Sequence, residues 1–492
     1  MTDTAAPHET VDAHDETPLG TGSERPAVSV ESAAPDHAAL IAHLRETFAG
    51  GRTRALEWRK DQLRALLAMM SDHEDAFVSA IAEDLGRPVA EAFAADIGHA
   101  RLNIKHNLKH IDSWAKPEKV FPGILGLPGK AQLTPEPLGV ALVIAPWNYP
   151  LQLLIEPLAA ALTAGNCVVA KPSELAPASA AVMARLIPQY LDTDAVAVVE
   201  GGVPETTELL SHAFDHVFFT GSTDVGRIVM KAAAEHLTPV TLELGGKSPT
   251  IVAADADLSV AARRIAWGKF LNAGQTCIAP DYVLAERSVR DRLVDKIVAS
   301  IGEFYGRDPR ASSDFGRIVN ERHLTRLTSL LGSAGGSVAH GGDVDPADRY
   351  VAPTIVVDPD LDAPVMQQEI FGPILPVLAV DSVEEAIDFV NRRPKPLALY
   401  VFTGSDATAT RVVDRTSSGG VCVNHALVHI LPEGLPFGGV GPSGMGAYHG
   451  KAGFDVFSHH KAVVRKPTRP DPKILYPPYT ATKEKLLRWV FR

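Results

Sequence analysis

Cysteine is scarce in this chain. Its 492 residues include three, Cys167, Cys277 and Cys422. A small, odd number of thiols excludes a disulfide-stapled fold and fits a reducing compartment, so the cytoplasm is the expected location. Positive charge is in deficit, with 47 lysines and arginines against 59 acidic residues and a net charge of -12. Such a chain is repelled by phosphate, which excludes a nucleic-acid-binding surface. No run is long and apolar enough to span a bilayer. Residues 1–36 lack the apolar core of a signal peptide. They hold eight acidic side chains against the single Arg25. That composition predicts a disordered acidic extension, with an acidic interaction arm as the alternative. No internal repeat is present.

What is present is length enough for two to four folding units and an ordinary apolar fraction of 46%. Residues 37–83 and 89–114 are helical in pattern, and both stretches are expected to cover the side of a sheet. From Gly139 to Gly246, apolar runs alternate with helical segments. The runs are 140–145, 168–170, 195–199, 217–219 and 240–244. This alternation predicts a parallel sheet with helices on both faces, binding its ligand beyond the carboxyl ends of the strands. The turns at those ends are Pro146-Trp147-Asn148-Tyr149-Pro150, Lys171-Pro172-Ser173-Glu174, Thr220-Gly221-Ser222 leading to Gly226, and Leu244-Gly245-Gly246. The glycines of the third turn let backbone approach a ligand beside a helix N-terminus, where phosphate is favoured. A second α/β unit follows, with strands expected at 282–286, 351–357, 374–379 and 421–424. Residues 332–348 read as a surface loop, 461–466 as an edge strand, and 483–492 as a basic tail that docks on its own fold or on a sister subunit.

Of the three cysteines, Cys167 and Cys422 sit in apolar strand runs and read as core residues. Cys277 instead ends the stretch Asn272-Ala273-Gly274-Gln275-Thr276, small and polar, as suits a thiol that meets a substrate. Taken with Thr241-Leu242-Glu243-Leu244-Gly245-Gly246-Lys247, Glu369-Ile370-Phe371-Gly372-Pro373 and Leu435-Pro436-Phe437-Gly438-Gly439-Val440, this stretch resembles the aldehyde dehydrogenase superfamily. Cys277-Ile278-Ala279-Pro280-Asp281-Tyr282 and Gly444-Met445-Gly446-Ala447-Tyr448-His449-Gly450 are similar to its class 3 branch.

The resemblance implies the aldehyde dehydrogenase fold. Residues 37–116 and 140–243 would form a Rossmann-like parallel-sheet NAD(P)-binding domain, and 244–427 a second α/β catalytic domain. Residues 117–139 and 428–470 would form a small bridging β-sheet at the contact of a homodimer, leaving 471–492 as a tail. The implied reaction is oxidation of an aromatic or medium- to long-chain aldehyde with NAD, or NADP, through a thiohemiacetal and a thioester. Cys277 would be the nucleophile, in a local field favouring the thiolate. The Asn148 amide and the Cys277 N–H would form the oxyanion hole, and Glu243 would be the general base. Pro146, Trp147, Lys171, Ser173, Glu174, Gly221, Ser222, Gly226, Leu244, Gly245, Glu369 and Phe371 would hold the cofactor. Tyr149, Thr276 and Ile278 would border the substrate, and no metal is implied. A CoA-acylating enzyme of the same fold and a non-catalytic protein retaining it are the rival readings. Glu243 argues against the first, because a general base would hydrolyse the thioester. The intact set of Asn148, Glu243, Cys277 and Glu369 argues against the second. Membrane contact through the tail is the less common alternative to its docking on protein.

Overall fold

Five apolar runs after Gly139 are parallel strands: Val140–Ile144, Cys167–Lys171, Val196–Val198, His216–Thr220 and Val240–Glu243. Continuous rather than alternating apolar sequence is what a strand covered on both faces requires. Helices Gln152–Ala164, Pro177–Tyr190, Val203–Ser211 and Thr223–Ala234 make the crossovers. In space the strands run 240–243, 216–220, 140–144, 167–171, 196–198, and Gly444–Met445 closes the first edge antiparallel to Val240–Glu243. The order reverses between Val140–Ile144 and His216–Thr220, and such sheets bind ligands outside the strand ends at that reversal. The computed structural model describes residues 36–123 and 126–491. The expected acidic extension, apart from Asp36, lies outside the described residues.

The N-terminal helical stretch divides into His37–Ala49, Leu56–Asp72 and Glu74–Leu85. Leu63, Leu66 and Met70, at three-and-four spacing along the second of these helices, are fully buried. Only the first of these helices lies against strands of the sheet; Leu56–Asp72 and the later His99–Trp114 stack on helix Gln152–Ala164 instead. The layer is therefore thicker than the expected cover, and helix Gln152–Ala164 is buried along its whole length. A short π-helical stretch, Ala92–Gly98, precedes His99–Trp114.

The second sheet has seven strands, ordered 337–340, 354–357, 374–380, 282–286, 249–252, 398–402, 420–423. All neighbours are parallel except Ser337–His340, which pairs antiparallel with Thr354–Val357. The structure corrects the sequence reading here in three places. Ser337–His340 lies inside the expected loop; most of it is exposed, so its backbone ladder leaves no apolar signal. Pro249–Val252 and Ala398–Phe402 are central strands that were not expected, because short apolar runs beside prolines do not distinguish strand from buried helix. The expected strand 351–357 is two, Tyr350–Val351 and Thr354–Val357, separated at Pro353. A third, exposed sheet joins Glu118–Val120, Lys130–Pro137 and Ser458–Arg465, the last pairing over eight residues from Ser458↔Pro137 to Arg465↔Lys130. Helix Ala481–Val490 buries none of its residues, and no helix among those described is long and apolar enough to cross a membrane.

One cap shows how the helical layer locks onto the first sheet. Helix Pro177–Tyr190 opens on a proline, which has no N–H to satisfy. The next two N–H groups, of Ala178 and Ser179, donate to the two oxygens of buried Asp84 at 3.0 and 2.8 Å. The cap comes from helix Glu74–Leu85, and Glu174, the nearer acid in sequence, does not supply it. Asp84→Ala should therefore lower unfolding free energy by about 1–2 kcal/mol in urea titration. An unchanged midpoint would show that water replaces the carboxylate.

Candidate active site

Helix Leu258–Phe270 ends just before the cysteine, and the chain then makes an uncommon turn. Asn272, Ala273 and Gly274 all have positive φ, at 50, 51 and 75°. Left-handed backbone costs a residue with a Cβ roughly 1–2 kcal/mol, so something must hold it. A Cβ on Gly274 would lie 2.3 Å from the Gly372 carbonyl oxygen, and only glycine fits there. The Asn272 N–H donates to Glu91 at 3.0 Å. The Gln275 amide donates to the Asn272 and Arg317 carbonyls at 3.1 and 2.9 Å and accepts from the Val319 N–H at 3.0 Å. Asn148, at the end of the first strand, joins this network from the other sheet. Its Nδ2 donates to the Gln275 carbonyl at 3.0 Å, and its own carbonyl accepts from Asn272 Nδ2 at 2.9 Å. An amide nitrogen carries two hydrogens, so the second N–H of Asn148 remains for a ligand.

A cavity of about 990 Å³ lies at the reversal point between the sheets. The first sheet contributes Pro146, Trp147, Asn148, Gly221, Ser222, Glu243, Leu244 and Gly245 to its wall, and the second unit contributes Cys277, Glu369 and Phe371. Eleven predicted site residues thus meet in one space. Trp147 packs edge-on to Phe371 at 5.3 Å between ring centres. The other predicted residues lie off this wall. Gly226 sits beneath Leu244, where a Cβ would come within 2.7 Å of its side chain. Lys171 is buried, donates to the Pro172 carbonyl at 2.8 Å and lies 3.6 Å from the half-exposed Glu174. Ser173 turns inward to accept from the Leu175 N–H. Tyr149, Thr276 and Ile278 are buried beside the turn. The Tyr149 hydroxyl bonds Thr276 Oγ1 at 2.7 Å, and the Ile278 carbonyl accepts from Tyr400. These three brace the cysteine loop and do not face the cavity.

Burial sets the electrostatics. Neither carboxylate oxygen of Glu243 has a partner, and burial raises its pKa well above the usual carboxylate value. Burial, reinforced by Asp281, raises Glu369 to about 8, and its Oε1 has no partner. Cys277 is pushed up to about 12, first by burial and then by the negative fields of Glu369 and Glu243. The expected thiolate-favouring field is therefore not what the structure shows: its nearest charges are acids, so the resting form is the thiol. Sequence reasoning also missed a basic set at the cavity, comprising Lys247, Arg326, Arg392, Arg393, Lys395 and Arg227. Lys247 and Arg326 hold the Glu369 segment, Lys247 donating to the Gln368 carbonyl at 2.8 Å and Arg326 to the Glu369 carbonyl at 3.1 Å. These six come from four stretches of chain, so no local motif announces them.

The cavity suits a dinucleotide. The N-terminus of helix Thr223–Ala234 opens onto it, which favours a phosphate group. A Cβ on Gly245 would lie 2.0 Å from the Glu369 carboxylate, so backbone and acid share a cradle that a side chain would fill. The unpartnered Glu369 Oε1 offers an acceptor for ribose hydroxyls. Doubly wound sheet, cradle, thiol and unpartnered acid together define an NAD(P)-dependent dehydrogenase acting on aldehydes. Residues 7–463 match the model of the aldehyde dehydrogenase family. The chain is 49% identical over 445 residues to mouse aldehyde dehydrogenase family 3 member A2, covering 90% of this chain and 92% of that one. It is also 49% identical over 443 residues to the rat "aldehyde dehydrogenase, dimeric NADP-preferring", covering 90% and 97%. The substrate-bound structure of Staphylococcus aureus AldH superposes with a TM-score of 0.91 at 44% identity, covering 93% of this chain and all of that one. The chain belongs to the aldehyde dehydrogenase family.

The raised thiol pKa has a direct consequence for the enzyme without cofactor. Below about pH 12 the thiolate fraction of Cys277 rises about tenfold per pH unit. Alkylation of Cys277 by iodoacetamide should be slow at pH 7 and keep accelerating to pH 10, followed by peptide mass spectrometry. A rate that levels off near pH 8 would show that the thiol is not held up.

Proposed function

We propose that this enzyme oxidises aromatic or medium- to long-chain aliphatic aldehydes to carboxylic acids, with NAD preferred and NADP also used, through a thiohemiacetal and a thioester on Cys277. The observation that carries this reading is the meeting of Cys277, Asn148 and the unpartnered Glu243 in one cavity. Cys277 gives its proton to solvent water, and the sulfur attacks the carbonyl carbon. The oxyanion that forms is held by the free Asn148 N–H and the Cys277 backbone N–H. Glu369, Gly245 and the Gly221–Ser222 turn would hold NAD(P), which would supply the acceptor for the hydride leaving the thiohemiacetal carbon as the thioester forms. Glu243, as the carboxylate, then takes a proton from water, the water oxygen adds to the thioester, and the carbon–sulfur bond breaks as the Glu243 proton passes to the Cys277 sulfur. Each turnover consumes aldehyde and water and yields acid, two electrons on the cofactor and one proton. The range of aldehydes rests on the likeness to family 3.

Within the same reading, residues 37–116 and 140–243 serve the cofactor, 244–427 the chemistry, and 117–139 with 428–470 the contact between two copies. The word "dimeric" in the rat relative's name supports a homodimer. The exposed three-stranded sheet is the natural contact, and the uncovered helix Ala481–Val490 would dock on the sister subunit. Unbridged Cys167, Cys277 and Cys422 support a cytoplasmic setting. Lys171 and Glu174 would meet the adenosine ribose, the lysine attracting a 2′-phosphate and the glutamate repelling it.

Cys277→Ala should abolish turnover while NAD still binds. Glu243→Gln should give a first-turnover burst of reduced cofactor at 340 nm followed by slow steady turnover. Equal losses of burst and steady rate would assign Glu243 to the first step alone. Glu174→Gln should raise kcat/KM for NADP relative to NAD, more so at low salt. A constant ratio would remove Glu174 from the ribose.

A further inference from the structure

Residues 87–96 line no part of the cavity. Three of their charged side chains nevertheless end on the backbone that carries the site. Arg87 and Asp96 form an ion pair of 2.7 Å, and neither side chain has any exposure. The same Arg87 nitrogen, Nη1, donates to the Asn148 carbonyl at 3.2 Å. Its guanidinium lies over the Tyr149 ring at 4.3 Å, and that tyrosine reaches Thr276, the residue before Cys277. Asp96 Oδ1 accepts from the N–H groups of Leu151 and Gln152 at 3.1 and 3.0 Å, so it fixes the chain just beyond Asn148. Glu91 accepts the Asn272 N–H at 3.0 Å, at the first left-handed residue of the cysteine turn.

A buried ion pair seldom stabilises a fold more than apolar residues of the same volume, because both charges lose their water. What this pair does is local. Arg87 touches the Asn148 carbonyl and Asp96 the chain just beyond it, and Glu91 touches the turn that aims Cys277. The two turns come from different sheets, and residues 87–96 are a third piece of chain that grips both. We propose that Arg87 and Asp96, with Glu91, are positioning residues for the oxyanion hole, fixing the Asn148 amide relative to the Cys277 backbone N–H. This rests on reading Asn148 as an oxyanion donor.

A double-mutant cycle in the full-length enzyme tests it. Arg87→Met and Asn148→Ala are made singly and together. Turnover is measured with NAD and with hexanal or benzaldehyde, whichever the wild type oxidises faster. NAD affinity is measured by quenching of tryptophan fluorescence. Asn148→Ala should lower kcat about 10²–10³-fold. Arg87→Met should lower it about 10–10²-fold, the scale of a misplaced catalytic group, while NAD affinity stays within about twofold. The double variant should fall no more than about threefold below Asn148→Ala, because residues acting through one group are not additive. A full Arg87 loss in the Asn148→Ala background overturns the proposal, and so does wild-type kcat in Arg87→Met. Wild-type activity in Asn148→Ala removes the oxyanion reading itself. If Arg87→Met does not fold, Arg87→Lys, which keeps the charge but not the forked donor, goes through the same cycle under the same criteria.

Discussion

Three consecutive left-handed residues, Asn272 to Gly274, decide where the nucleophile points, and the rest of the site is arranged to keep them there. The strain is local, while the groups that offset it come from far along the chain: Glu91, Asn148, Arg317 and Val319. Gln275 is the hub, with both ends of its amide used on main-chain partners. A turn held in this way has one available geometry. Asn148 is part of the bracing and also lines the cavity, so the group facing substrate is positioned by the strain it helps to hold.

Burial works on the acids and the thiol in the same direction. Glu243, Glu369 and Cys277 share a low-dielectric space, and the two acids disfavour charge on the thiol. Such groups are costly to keep unpaired. Their value is chemical: an acid with a raised pKa can accept a proton and give it up again near neutrality. Lys247 and Arg326 brace the Glu369 segment through its main-chain carbonyls, and burial still outweighs their fields on the acid.

The first sheet was legible because each strand is a continuous apolar run closed by an informative turn. The second was less so. Pro249–Val252 and Ala398–Phe402 lie at its centre, yet they are short and sit beside prolines, and Ser337–His340 pairs through its backbone with little apolar content. Eleven site residues could be placed in one cavity from motifs because the first-sheet turns share one edge of that sheet and the loops carrying Cys277 and Glu369 face it. The bracing roles of Tyr149, Thr276 and Ile278 could not, because a side chain next to a nucleophile can face either way. Arg87, Glu91 and Asp96 were also invisible, being ordinary charged letters in and just before a helical stretch. Their meaning comes from contacts across 61 positions for Arg87 with Asn148 and 181 for Glu91 with Asn272. The thiol's protonated resting state came from the same cause, since no sequence pattern reports which acids surround it.

The ladder between Lys130–Pro137 and Ser458–Arg465 matters for how the molecule is made. Strand Lys130–Pro137 leaves the ribosome long before its partner exists, and at roughly 5–20 residues per second the wait is about a quarter of a minute to a minute. Strand Val240–Glu243, which ends in the general-base candidate, waits similarly for Gly444–Met445 to close its edge. Both early edges expose unpaired backbone for that interval, open to pairing with neighbouring nascent chains. Completion of the enzyme is thus tied to the last tenth of its synthesis, and a product released early would carry the general-base candidate on a sheet still missing its border.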